Sequence, residues 1–288
     1  MNFDNKNTKR NYLHAFSYFQ SQSGLSESEL KEKKPSELNK LIDSIICGNK
    51  RWSNRSKRLY ISAVRTVLDY QFDVPLPRSK VSKSLKTAGE RKTNKTELTK
   101  EQVMILQKYF ENNYKTEKKD YLKVTHLRNL ILFKLLAGTG QRISDILNLK
   151  VAAAKKQDIT FLQEKTKAIA KVENPCQQEI FLYVSIQRLS DDDFLFANDL
   201  QRNPLHRTQA YRVISDAGKL VLSIKNLSPH CLRAYFVTEL KKRNVSNLTI
   251  MSATGHINEG MISYYYTGKP ELKGSAQLLL GFEKEKKK

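Results

Sequence analysis

Cysteine is scarce in this sequence. Cys47, Cys176 and Cys231 are odd in number and far apart. That excludes a disulfide framework and offers no C-x-x-C metal pair, so a reducing cytosol is the expected compartment. Proline is scarce too, seven in 288 residues, which leaves long stretches free to be helical. No apolar run approaches the roughly 20 residues that cross a bilayer. The polar start, Met1 to Arg10, does not read as a signal peptide. Carboxylates are outnumbered: 29 Asp and Glu face 51 Lys and Arg, a formal charge of +22. A surplus of that size calls for a polyanionic partner, most simply nucleic acid, whose condensed counterions are released on binding. The rival, an anionic membrane surface, would concentrate the charge in one amphipathic segment. Here it runs along the whole chain.

The length favours two domains. Tyr12, Ala15, Phe16 and Phe19 repeat at helical spacing, and Ser21 to Gly24 ends that helix. Pro35 opens a second helix through Leu38, Leu41, Ile42, Ile45 and Ile46, with Gly48 as its stop. A third is predicted from about Ser53 to Tyr70, with Leu59, Ala63, Val64, Val67 and Leu68 on its apolar face. Arg51, Arg55, Lys57, Arg58 and Arg65 flank it. They suit a solvated face or, given the whole-chain surplus, phosphate contacts. Residues 1–77 therefore read as a helical domain and 78–97 as a basic linker, poor in large apolar residues. Residues 98–288 form the second domain. Thr99 with Gln102 matches a capping box. Helices are expected at about 100–113, at 120–137, which is apolar enough to be buried, and from Arg142 to Leu149. Ile159–Leu162 and Ile180–Val184 read as strands of a small antiparallel sheet, with Lys165 to Lys171 between them. Asp191–Asp193 reads as a polar turn. Further helices are expected at about 208–221, from Pro229, at 247–253 and at 258–266. The fold class is mainly α with a small antiparallel sheet.

No cluster of acids, cysteines or histidines has metal-ligand spacing. Arginine, histidine and tyrosine are present instead. A phosphodiester can be broken with a nucleophile on phosphorus, cations on the non-bridging oxygens and an acid at the leaving oxygen. Arg142 follows Gly138-Thr139-Gly140 near a helix start, where the helix dipole gives a cation no advantage. Taken alone it also fits a surface cation. His230 and Arg233 stand at i and i+3 on one helix face behind Ser228-Pro229. A phosphate placed there would also meet free backbone N–H groups. His256 follows Gly255. Tyr264, Tyr265 and Tyr266 point about 100° apart on a helix, so only one can face a given phosphate. By themselves the three also fit aromatic packing.

These motifs, Thr139–Leu149, His230-x-x-Arg233, Gly255-His256 and the tyrosine run, resemble the active-site signature of the tyrosine recombinases (the phage-integrase family). Their order and spacing match across roughly residues 130–268. The resemblance implies a two-domain DNA clamp, with Arg142 and Arg233 as phosphate clamps and Asp145 as a buried supporting acid. It makes His230 a proton-transfer group, and His256 a hydrogen-bond partner of a non-bridging oxygen. Tyr265 becomes the nucleophile, nine residues after His256. Gln163-Glu164-Lys165-Thr166 resembles the family's Q-x-K-T, which implies Lys165 as general acid. Lys167 and Lys171 are rivals, because hairpin register is not legible in a lysine-rich stretch. Val151 to Lys156 departs from the family pattern and reads as an altered surface loop.

The resemblance further implies site-specific cleavage and rejoining of double-stranded DNA, without metal, ATP or other cofactor. The implied assembly is a homo-tetramer on a Holliday junction, possible accessory DNA-bending proteins beside it, in the cytoplasm at the nucleoid. A C-terminal apolar stretch (Leu278, Leu279, Leu280, Phe282) is expected to dock on a neighbouring subunit or to fold back on its own domain. With little sequence before Tyr12, a compact Xer-like or transposon-resolvase type is expected. The rival readings are a type IB topoisomerase, a catalytically inactive DNA-binding regulator and a basic RNA-binding protein.

Overall fold

The computed structural model describes residues 6–77, 85, 97–164, 166–197, 202–256, 258–260 and 262. The chain divides into two compact units, residues 1–95 and 96–288.

In the first unit the elements are α1 (Lys6–Ser23), α2 (Glu27–Glu32), α3 (Pro35–Gly48) and α4 (Asn54–Phe72). The short α2 has no apolar period to announce it. Its start is fixed by a capping box in which the Ser26 hydroxyl and the Glu29 carboxylate serve each other's backbone N–H. Phe16, Phe19, Leu30, Leu38, Ile42, Ile46, Val64 and Leu68 form the core, and Phe16 stacks on Phe72 with centroids 5.2 Å apart. Leu59, expected on the inner face of α4, is 51% exposed, and Ile61 is buried instead. Five residues of helix separate Leu59 from Val64, a rotation of about 140° that turns it away from the core. Arg65 binds the chain leaving α4. Its Nη2 donates to the Leu76 carbonyl at 2.7 Å and to that of Pro77, and its Nη1 donates to Asn39 Oδ1.

The second unit is built round one buried helix. It comprises α5 (Lys100–Thr116), α6 (Asp120–Thr139), α7 (Ile143–Leu147), α8 (Val151–Ala154), β1 (Asp158–Leu162), β2 (Ile169–Glu173), α9 (Gln177–Gln187), α10 (Arg207–Leu222), α11 (Pro229–Lys242) and α12 (Asn247–Thr254). The second half of helix α6 is apolar on nearly every side, and Leu127, Leu130, Ile131, Leu132, Phe133, Leu135 and Leu136 are all buried, as such a pattern demands. Helices α5, α9, α10 and α11 pack on it. The Thr99–Gln102 capping box is formed at the start of α5.

Two expectations are corrected. Ile180–Val184 lies in α9 and is not a strand. Only Ile180 and Tyr183, one helical turn apart, are buried, while Phe181 and Leu182 face outward. A short apolar run carries no period that separates strand from helix. The partner of β1 is β2, Ile169–Glu173, which pairs antiparallel with Leu162 opposite Ile169 and Phe161 opposite Ala170. Its signal is weak because Ala170 is its one fully buried apolar residue. Val151–Lys156 is not a surface loop. It holds α8, with Val151 and Ala154 buried. The turn at Asp191–Asp193 supplies acceptors for the helix start: the Asp193 and Asp191 carbonyls take the Val151 and Ala152 N–H groups at 3.0 and 3.1 Å.

Candidate phosphate site

Four chain segments converge at one end of α6. Gly140 closes α6 in the left-handed conformation (φ +62°). A Cβ at Gly140 would collide with the Phe236 ring of α11, so glycine is what lets the two backbones meet here. Arg233, on α11 and only 2% exposed, uses this approach. Its Nη1 donates to the Gly140 carbonyl at 2.7 Å, and its Nη2 to the Thr254 carbonyl at 3.1 Å and the His256 ring at 2.8 Å. The guanidinium fork is held from two directions before any ligand arrives.

His256 follows Gly255, which ends α12 with φ +64°. The hydroxyl of Thr254 has one proton and donates it to the Ile250 carbonyl at 2.5 Å. The His256 Nδ1, 2.6 Å from the same oxygen, must therefore be the donor there. That leaves Nε2 as the acceptor facing Arg233, the neutral tautomer. Burial, then the charges of Arg233, Arg142 and His230, push the ring's pKa down to about 3. The charges of Arg233, Arg142 and His230 thus all act on this one ring. His230, one turn before Arg233 on α11, is exposed.

Arg142 is the N-cap residue of α7, half-buried, and its Nη1 donates to Gln163 Oε1. Asp145, 4% exposed, accepts the Glu164 N–H at 3.1 Å through Oδ1, and its Oδ2 lies 3.8 Å from Arg142 Nη1. Burial pushes the Asp145 carboxyl up, against the Glu164 N–H, Arg142 and Arg233, which pull it down. The buried acid is thus tied to the first arginine and to the β1–β2 turn. Beyond Gln163 that turn also holds Thr166, whose hydroxyl donates to Gln163 Oε1 at 3.0 Å. Lys167 sits in it with φ 56°, and Lys171, on β2, is paired with Asp158 at 3.0 Å. Lys165, and Tyr264, Tyr265 and Tyr266, lie outside the described residues, as does the apolar stretch at Leu278–Phe282.

Sequence reasoning placed Gln141, Thr254 and Gln163 within its motifs but gave none of them a role of its own. All three are fully buried. For Gln163 a signal existed. Strand alternation continued past Ile159 and Phe161 puts residue 163 on the inner face. Nothing local distinguishes Gln141.

Two guanidiniums and two imidazoles are thus gathered in a mainly helical frame with one small hairpin. Residues 96–271, more than half of the chain, match the phage integrase family. The chain belongs to that family. Tyrosine recombinase XerC of Staphylococcus aureus (strain USA300 / TCH1516) is 30% identical over 157 residues, half of each chain. XerC of Staphylococcus epidermidis (strain ATCC 12228 / FDA PCI 1200) is 26% identical over 143 residues. The chain spans about half the length of the curated relatives it matches. Among solved structures, XerH recombinase bound to palindromic difH substrate has a TM-score of 0.66 at 17% identity, covering 95% of this chain and 79% of that one. The Tn1549 transposon integrase with transposon right-end DNA has 0.65 at 15%, covering 98% and 95%. A lambda integrase tetramer bound to a Holliday junction has 0.59 at 16%, covering 99% and 75%. These likenesses establish the two-domain recombinase fold.

Proposed function

We propose that the protein is a site-specific DNA recombinase. It cleaves and rejoins DNA strands through a 3′-phosphotyrosine and a Holliday junction, in integration, excision or resolution. The observation that carries this reading is the convergence of Arg142, Arg233, His230 and His256 on one place, with the guanidiniums already oriented. In a low-dielectric setting such oriented donors stabilise the charge of a pentacoordinate phosphorane without reorganising.

The roles then follow. Arg142 and Arg233 hold the non-bridging oxygens, and His230 contacts the phosphate and moves protons. His256 bonds a non-bridging oxygen, which requires a proton on Nε2, brought either with the anion or by a change of tautomer. The Tyr265 Oη attacks phosphorus, its proton leaves, and the P–O5′ bond breaks. Lys165 delivers a proton to the departing O5′. Attack by the 5′-hydroxyl of the partner strand reverses the step and returns Tyr265. The bond's energy is retained in the phosphotyrosine, so the sequence of steps consumes no ATP.

In this reading residues 1–77 bind DNA, residues 78–97 follow the phosphate backbone, and residues 98–288 perform chemistry and carry a tail for subunit docking. The partners are duplex DNA, three further copies of the chain and accessory DNA-bending proteins, in the cytoplasm at the nucleoid. The family match, the XerC relatives and the likeness to a lambda integrase tetramer bound to a Holliday junction support it.

The test is a nicked, labelled suicide substrate drawn from the DNA flanking the protein's own gene. A covalent adduct on a denaturing gel, lost in Tyr265→Phe, is expected. An adduct that survives moves the nucleophile to Tyr264 or Tyr266. Tight, salt-sensitive binding with no adduct on any site would overturn the enzyme reading in favour of a DNA-binding regulator.

A further inference from the structure

Gln163 ties together several parts of the site's frame: Arg142, Gln141, the β1–β2 turn and the end of α12. It is fully buried, and a carboxamide has two donors and two acceptor positions. All four are used. Its Oε1 accepts from Arg142 Nη1 and from Thr166 Oγ1. Its Nε2 donates to Gln141 Oε1 at 2.8 Å and to the Thr254 carbonyl at 2.6 Å. The amide's orientation is fixed by partners of one kind only: a guanidinium can only donate and a carbonyl can only accept. The Thr254 carbonyl also takes Arg233 Nη2. Arg142 is thereby joined to Arg233 through one carboxamide and one carbonyl. The fit is close, since a Cβ on Gly255 would occupy the space of the Gln163 amide. Gln141 completes the frame by donating to the Ala253 carbonyl at 2.5 Å.

We infer that Gln163 is a positioning residue. Its carboxamide sets the Arg142 guanidinium against the Thr254–His256 turn, so that the two arginines address the same phosphate, and it holds the β1–β2 turn to that arrangement. The inference rests on the recombinase reading above. A buried glutamine that served only the fold would affect stability and DNA cleavage through unfolding alone. A positioning glutamine acts through Arg142, and that difference is measurable. Misplacement of a reacting or stabilising group by about 1 Å costs on the order of a hundredfold in rate.

The experiment measures single-turnover adduct formation on the nicked suicide substrate, with DNA saturating and the temperature well below each variant's melting point. It compares wild type, Gln163→Met, Arg142→Lys and the double variant. Gln163→Met is expected to form adduct at least about tenfold more slowly than wild type, while binding the DNA with similar affinity. The double variant is expected to match Arg142→Lys, because a displaced lysine has nothing left for Gln163 to position. If Gln163→Met does not fold, Gln163→Glu keeps the shape and reverses the polarity towards Thr254 and Gln141. The same slowing and the same non-additivity with Arg142→Lys are expected of it. A wild-type rate in either folded variant overturns the inference and leaves the recombinase reading intact. So do effects of residues 163 and 142 that multiply. Absence of any adduct from the wild type brings down both.

Discussion

The neutral, buried His256 makes acid stability the sharpest consequence of this structure. In the fold its pKa lies at about 3, while an unfolded histidine titrates at about 6.5. As pH falls below the unfolded value, the unfolded chain takes up a proton that the native ring refuses. The stability present above pH 6.5 is therefore lost progressively between there and pH 3. From pH 7 to pH 5 this one residue removes about 2 kcal/mol. For a unit of this size that is a fall of roughly 4–8 °C in melting temperature. His256→Asn is the control: its side-chain N–H reaches the position of Nδ1 against Thr254 Oγ1 and does not titrate. Melting curves of both proteins at pH 7, 6 and 5, in one ionic strength and without DNA, make the measurement. The wild type is expected to lose the additional 2 kcal/mol and the variant to lack that loss. Parallel slopes would refute the reasoning, since they would mean that His256 is protonated in the fold as readily as outside it.

Other outcomes follow from the same contacts. Gly255→Ala is expected to cost about 2–3 kcal/mol, from a left-handed backbone and displacement of Gln163. Gly24→Ala, with the same φ sign (+67°) and open space around it, should cost about 1 kcal/mol. Equal losses in thermal denaturation would show that the Gly255 collision is not felt. Arg233→Lys keeps the charge but loses the fork between Gly140 and Thr254. It should lower stability by about 2–4 kcal/mol and adduct formation by about a hundredfold or more, read by melting and by the suicide substrate. Wild-type adduct formation in that variant would argue against the clamp.

Much of this protein is legible in its sequence because the relevant physics is local. The i, i+3, i+4, i+7, i+8 period of Leu38, Leu41, Ile42, Ile45 and Ile46 specifies α3 without reference to anything distant, as the Thr99–Gln102 box specifies the start of α5. The surplus of 22 positive charges in composition points to a polyanion whatever the fold. The spacing His230-x-x-Arg233 puts both side chains on one face of α11, and the motif order carries the family. Tertiary structure alone decides what those residues meet. The apolar run at 180–184 becomes helix because α6 offers it a face for Ile180 and Tyr183, and no neighbour for a strand. Helix α8 exists because carbonyls about forty residues later accept its first N–H groups. His256 is neutral, and in one tautomer, only because burial removes its water and Arg233 donates to its Nε2. Gln163 is only the residue that follows β1 until Arg142, 21 positions before it, and Thr254, 91 after, close on its amide. Hydrogen-bond partners across that separation, and the dielectric in which a ring titrates, are properties of the assembled core. No sequence window short of the whole unit contains them.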